Sequence, residues 1–228
     1  MIRAHIPGIP GSPSPDRPGD PFRPWEPPVR PGRSPADPDI SPARVWLDPY
    51  ASMRTQLQEG LLAKRIVLLS GVLDDEAASR LSAQLLTLDA DGNRPVRLEL
   101  QNLHGELSAV VTVMGILDVL HAPVHGCVSG EIAGPALGVL ASCPRRTGYP
   151  NATFTLTEPR VRFDGTATAV SAREQQMLRM LDTVYFKLAD VTGRPVEEIR
   201  EDSRQGRVLT TAQAIGYGLV QAQETGRP

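Results

Sequence analysis

The chain has 228 residues, with 26 acidic and 24 basic side chains and a net charge of −2, which gives no electrostatic footprint for nucleic acid or an anionic membrane. No segment approaches the roughly 18–20 continuous apolar residues of a membrane span, and the opening MIRAHIPGIPGSP lacks the apolar core of a signal peptide, so a cytoplasmic protein is expected. Aromatic residues are only 4% while Ala, Leu, Val and Gly are plentiful, which favours a layered α/β fold over an all-β one; the length suits one domain with a real core plus an appendage.

Residues 1–43 hold 13 of the 22 prolines. Proline at this density blocks helix and sheet ladders alike, and too few apolar residues remain to offset the ordering entropy. A disordered, partly polyproline-like arm is expected there, followed by a domain over 44–224 and a short flexible tail at 225–228. Trp25, between Pro24 and Glu26, is either an exposed tail residue or a docking anchor for a partner.

From Trp46 to Lys64 a helix is predicted, because Trp46, Tyr50, Met53, Leu57 and Leu61 recur at spacings of three or four. Arg65 to Leu69 reads as a β-strand turned at Gly71. Asp74 or Asp75 then caps a helix whose inner face is Ala78, Leu81, Leu85 and Leu88. A second strand over 95–100 leads into a loop from Asn102 to Leu107. The next helix turns Val110, Val113, Leu117 and Leu120 inward and stops at His121-Ala122-Pro123.

The third strand, Val124 to Val128, runs into CVSGEIAGPALGVLA, a glycine-containing corner that opens into a small-residue helix. Pro135 stands where a first-turn proline is tolerated. Such a strand-to-helix corner is where a hydrolase presents a nucleophile with backbone N–H groups beside it, yet the corner residues are Ile132-Ala133-Gly134. Alternating strands and helices with short connections predict parallel strands joined by right-handed crossovers. Chemistry then collects beyond the carboxyl ends of the strands, at the loops Asn102–Leu107 and Ser129–Gly134.

Further strands are expected near 146–149 and 153–156, and an extended excursion from Arg160 to Gly165. A long helix over 168–191 exceeds what one small domain needs to cover itself, which makes it a candidate interface between subunits. Gly193 and Pro195 end it, a shorter helix covers 196–204, and Thr210 with Gln213 forms a capping box for a last helix. Cys127 and Cys143 lie in apolar segments without partner spacing and read as buried free thiols, so neither a disulfide, a metal site nor a cofactor is expected.

With these segments placed, residues 50–220 resemble the Clp protease proteolytic subunit family (ClpP) of the crotonase-like superfamily. RIVLLSGVLDDEAASRLSAQLLTLDA looks like its first strand and helix, and NLHGELSA falls where the family has NSPGGSVTAG. CVSGEIAGPALGVLA falls on CVGQAASMGALLLAAG, and VTGRPVEEIREDSRQGRVLTTAQAIGYGLV tracks HTGQxxExIxxDxxRDxxxSAxEAxxYGLVD. The resemblance implies a ClpP/crotonase-like α/β fold with a handle at about 160–191. It also implies heptameric rings stacked into a tetradecamer around enclosed active sites, with a Clp unfoldase ATPase docking outside.

Carried over residue by residue, the family's serine nucleophile falls on Ala133, its histidine base on Thr157 and its orienting aspartate on Gly206. The oxyanion loop falls on Gly105, Glu106 and Gly134, with Glu106 replacing the second glycine of PGG. None of these catalytic side chains can perform the family's step. Other groups near the corner are Ser129, Ser142, Cys127 and Cys143, with His104 in the facing loop and His121 and His125 around Pro123; Glu106 and Glu131 offer a carboxylate pair. Three readings follow: a catalytically degenerate structural or regulatory subunit in homo- or hetero-oligomeric rings with catalytic ClpP; an active serine peptidase subunit with relocated residues; or a scaffold that recruits partners through the proline-rich arm.

Overall fold

The computed structural model describes residues 51–161 and 163–225. The proline-rich arm with Trp25, the Trp46 and Tyr50 end of the first helix, and the last three residues lie outside the described residues. The first helix, α1, covers Ala51–Ala63. Its expected inner face is little used, since Met53 and Leu57 are 58% and 64% exposed and Leu61 is half-buried, while the neighbouring Leu62 packs on the core. The periodicity is real, but no described part of the chain covers that stripe.

Strand β1 runs from Ile66 to Leu73 and does not turn at Gly71. It lies parallel to β2 (Val96–Gly105), a strand that continues five residues past the expected end at Leu100. The physical reason is a bulge. Register shifts between Ser70 and Gly71, so that Ser70 faces Gln101 and Gly71 faces Leu103, leaving Asn102 as the extra residue. Asn102 has φ 48, a left-handed conformation that asparagine tolerates better than most side chains, and Gly71 has φ 84. A sequence that looks like a loop, Asn102-Leu103-His104-Gly105, thereby stays in the sheet.

Between these strands α2 spans Asp75–Ala90, capped by Asp74, whose carboxylate accepts the Ala77 N–H at 2.8 Å. Ala78, Leu81, Leu85 and Leu88 are all buried, as their spacing predicts. Helix α3 (Leu107–Val119) buries Val110, Val113 and Leu117, while Leu120 just beyond it is half-buried. Each fully buried leucine of this kind contributes roughly 1.5–3 kcal/mol relative to exposure.

The remaining strands are β3 (Val124–Val128), β4 (Glu131–Ala133), β5 (Arg145–Gly148), β6 (Thr153–Thr155), β7 (Val208–Thr210) and β8 (Ala222–Gln223). They order as β7-β6-β4-β2-β3-β5-β8 with β1 on the other edge of β2, and all neighbours are parallel except β6 and β7. One edge of β2 serves two partners: Val96–Leu100 pairs with β3, and beyond the bulge Leu103 pairs with Ile132 of β4. This is the helix-flanked, mainly parallel α/β architecture expected.

Helix α4 (Leu137–Ala141) is wholly buried. Helix α5 (Ala167–Thr192) buries Leu181, Val184, Tyr185 and Leu188, but no residue before Leu181, and Phe186 and Leu178 stay exposed. It ends at Gly193 with φ 68. Helix α6 (Val196–Gln205) and α7 (Thr211–Tyr217) follow, the latter with the expected capping box of Thr210 and Gln213.

Candidate functional site

The corner is built by β4 and the turn after it. Strand β3 passes through Ser129-Gly130 into β4, so a short strand separates the glycine turn from the helix that the sequence places directly after it. Gly130, at φ 102, sits against Asn102, whose Oδ1 would lie 2.5 Å from any Cβ there. The same Oδ1 accepts the Glu131 N–H at 3.1 Å, which ties the β2 bulge to the start of β4. Ala133 ends β4 in extended geometry and is 6% exposed; Gly134 follows at φ 58, and Pro135 opens a 3₁₀ turn over Gly134–Ala136. That turn leads into α4.

Strand β6 runs parallel to β4 with Thr155 opposite Ala133, so Thr157 emerges past the strand end beside Gly134. A Cβ on Gly134 would meet the Thr157 carbonyl oxygen at 3.3 Å and its Cγ2 at 3.4 Å. Gly206 arrives from a third element. It caps α6 at φ 69, and its neighbour Arg207 accepts the Leu156 N–H on its carbonyl at 2.8 Å, while Arg204 approaches Glu158 at 3.8 Å. The backbone around Gly206 therefore runs beside residues 156–158, although Gly206 itself does not line the cavity.

The nearest acid to Gly206 in the chain, Asp202, is turned to another task. It is buried, binds the Arg207 guanidinium at 2.9 and 3.0 Å, and accepts the Tyr217 hydroxyl at 2.6 Å. Arg194 and Arg207 both lie over the Tyr217 ring, at 4.1 and 5.2 Å from its centroid. Burial and the Asp202 carboxylate push the Tyr217 pKa upward. This cluster fixes α6, β7 and α7 together and holds the Gly206 turn.

Ala133, Gly134 and Thr157 form part of the wall of a cavity of about 680 Å³. His104, Glu106 and Ser108 contribute from the end of β2 and the start of α3, and Phe163, Met177 and Met180 add an apolar side. Gly105 has room only for hydrogen, because a Cβ would collide with the Val110 methyl Cγ2. Glu106 is the N-cap residue of α3, but its exposed side chain makes no capping bond. Its N–H donates to the Leu73 carbonyl at 2.9 Å in the β1–β2 ladder, so it is not available to an oxyanion. Alternation along the strand turns the Gly105 N–H to the opposite edge, toward the Gly134 turn.

The other groups singled out in the sequence are dispersed. Glu131 accepts the Thr155 hydroxyl at 3.0 Å and does not line the cavity, so it makes no carboxylate pair there with Glu106. Cys127 and Cys143 are buried free thiols, and burial pushes their pKa values up to about 11 and about 12, the opposite of an activated nucleophile. Ser129 and Ser142 stand outside the cavity lining, and His121 pairs with Asp89 at 3.2 Å. Ser108 is a hydroxyl in the cavity that pattern reading passed over, because it falls in a helix start among apolar residues. Among the described residues no helix is long and apolar enough to cross a membrane.

Comparison with known proteins bears on this site. The family model described as Clp protease matches residues 51–223. The chain is 31% identical over 169 residues to a protein named ATP-dependent Clp protease proteolytic subunit 1 from Nocardia farcinica (strain IFM 10152), covering 73% of this chain and 86% of that one. A protein of the same name from Bifidobacterium longum (strain NCC 2705) is 31% identical over 185 residues, covering 79% of each chain. The ATP-dependent Clp protease proteolytic subunit of Ligilactobacillus salivarius (strain UCC118) is 28% identical over 163 residues, covering 70% of this chain and 83% of its own. With its parallel sheet, its corner at Ala133 and a match across three quarters of its length, the chain belongs to the Clp protease family.

Proposed function

We propose that this chain is a catalytically silent subunit of a Clp protease-like ring, serving a structural or regulatory role beside catalytic ClpP subunits or in a barrel of its own. The observation that carries the reading is the chemistry at the corner: the side chains where the family places nucleophile and base are the Ala133 methyl and the Thr157 hydroxyl, with Gly206 at the orienting position. A methyl cannot attack a carbonyl, and a hydroxyl takes up no proton near neutral pH. In triad enzymes, loss of nucleophile or base alone lowers turnover by on the order of 10⁶-fold, and the residual rate depends on an intact oxyanion hole. The exposed Glu106 carboxylate at the cavity opposes any developing negative charge.

Support for a subunit role comes from what is kept. Helix α5, with the exposed Leu178 and Phe186 along it, supplies an apolar surface of the kind that packs between subunits. Native mass of the full chain, alone and mixed with a catalytic ClpP from the same source, tests the reading. Ring-sized assemblies support it, and a strictly monomeric protein that never enters them defeats it.

One observation favours a second reading, a peptidase with relocated groups: Ser108 and His104 line the same cavity. Labelling of Ser108 by a fluorophosphonate probe would establish that reading, and an unlabelled chain removes it. The third reading, recruitment through the proline-rich arm, concerns residues outside the described ones; deletion of 1–43 without change in assembly or partner binding would dispose of it.

A further inference from the structure

At the β3–β5–β8 end of the sheet, away from the cavity lining, the fold gathers a second set of reactive side chains. His125 and Cys127 are two residues apart on β3 and so share one face of the sheet. Thr147 is the β5 partner of Cys127, and β8 pairs Gln223 with Gly148, which delivers Glu224 to the same place. Glu224 is anchored there by its own N–H, which donates to the Gly148 carbonyl at 2.8 Å. Nothing in the local sequence announces this set, because Glu224 is 97 residues from Cys127.

We propose that His125 Nε2, Cys127 Sγ and Glu224 Oε1 form a binding site for a divalent transition-metal ion of the zinc class, with the Thr147 hydroxyl or a water at the fourth corner. The bound ion would clasp the C-terminal strand to the middle of the sheet. The site is independent of the cavity and of the ring reading.

Geometry carries the proposal. A tetrahedral zinc ion with bonds of about 2.0–2.3 Å sets its ligand atoms roughly 3.3–3.8 Å apart. Here two of the three edges fit, with Sγ and Oε1 3.6 Å apart and Nε2 and Oε1 3.8 Å apart; the three donors lie within 4.8 Å of one another, so the Nε2–Sγ edge would tighten on binding. Thr147 Oγ1 stands 3.0 Å from Nε2, 2.9 Å from Oε1 and 3.5 Å from Sγ, which places it at a fourth vertex. A sulfur, an imidazole nitrogen and a carboxylate oxygen suit zinc-like ions and are a poor set for magnesium or calcium, which take oxygen donors. With three donors from the protein, the fourth position is left to the Thr147 hydroxyl or a water, so the site is an open one rather than a closed Cys/His centre.

The surrounding charges set the conditions. Arg97 touches the Glu224 carboxylate at 3.4 Å but is also ion-paired with Glu99 and bonded to the Tyr149 hydroxyl at 3.2 Å, so it keeps two partners when a metal takes Glu224. Arg145, opposite His125 on β5, is exposed. The Cys127 thiol binds the ion as thiolate and releases its proton to solvent.

The test uses the full chain, stripped with a chelator, dialysed, and titrated with Co²⁺ and then Zn²⁺. One Co²⁺ per chain is expected, with a thiolate-to-cobalt charge-transfer absorption that Zn²⁺ abolishes by displacement. Because the chain has two cysteines, the band must vanish in Cys127→Ser and persist in Cys143→Ser. His125→Gln and Glu224→Gln should each weaken binding at least tenfold. Absence of the band, its persistence in Cys127→Ser, or its loss in Cys143→Ser overturns the proposal. Should Cys127→Ser fail to fold, Glu224→Gln decides: unchanged Co²⁺ affinity in that variant refutes the site.

Discussion

Thr157 leaves Gly134 little room for a side chain: a Cβ on Gly134 would stand 3.3 Å from the Thr157 carbonyl oxygen. The turn after β4 therefore packs closely on the residues past β6, and Ala133 and Thr157 share one cavity wall; on the silent-subunit reading proposed above, their methyl and hydroxyl stand where the family has its reacting groups. Restoring one group should achieve little. Ala133→Ser alone is expected to remain unlabelled by a fluorophosphonate and inactive on peptides, while Ala133→Ser combined with Thr157→His and Gly206→Asp should become labelled. Labelling of the single variant would show that a base already exists in the cavity.

Gly206 itself constrains that experiment. At φ 69 it is the left-handed cap of α6, so Gly206→Asp should destabilise the fold by about 1 kcal/mol, less than a β-branched residue would. Urea unfolding of Gly206→Asp against Gly206→Val measures the difference, and equal losses would contradict the strain argument.

Packing around Gly105 gives a sharper test. Gly105→Ala collides with the Val110 methyl, and a loss of roughly 1–3 kcal/mol is expected in chemical denaturation. Val110→Ala leaves a cavity on its own, but in combination it should recover part of the Gly105→Ala loss, giving a clear non-additive cycle. Additive losses would mean the two residues do not share that space.

The Asp202 cluster should be expensive to break. Tyr217→Phe leaves the buried Asp202 carboxylate without a 2.6 Å donor and is expected to cost about 1.5–3 kcal/mol. Thermal unfolding would show it, and a change within a few tenths would mean that Arg207 alone satisfies the carboxylate.

Asp89 provides a pH signature. Its Oδ1 accepts the Ala122 and His121 N–H groups at 2.7 and 2.9 Å, and these bonds with the His121 ring outweigh desolvation and hold its pKa below the ordinary 3.8. A carboxylate depressed in the folded state contributes stability that is complete above the unfolded pKa and is lost as pH falls through the folded one. Asp89→Asn should therefore lower the melting temperature at neutral pH, and the difference from the unmodified protein should shrink below about pH 4. A difference that is constant with pH would contradict this.

Much of the fold was legible because burial imposes periodicity: Ala78, Leu81, Leu85 and Leu88 could face nothing but the sheet, and the Thr210–Gln213 box marks α7 by its own chemistry. The continuation of β2 was not legible, since Asn102 and Gly105 are turn formers and only pairing with β1 and β4 keeps them extended. The Met53–Leu57 stripe misled for the opposite reason, because a helical period says that a face will be covered but not by which chain. At the corner, the chemistry of Ala133 and Thr157 follows from residue type alone. The placement of Ser108 and Glu224 does not, since Ser108 falls in a helix start among apolar residues and Glu224 reaches Cys127 through β8, 97 residues on.

The most direct measurement is native mass spectrometry of this chain assembled with a catalytic ClpP from the same source and treated with a fluorophosphonate. The silent-subunit reading predicts mixed ring-sized particles in which every adduct resides on the catalytic partner and none on this chain. Particles that exclude this chain, or an adduct on it, would contradict that reading.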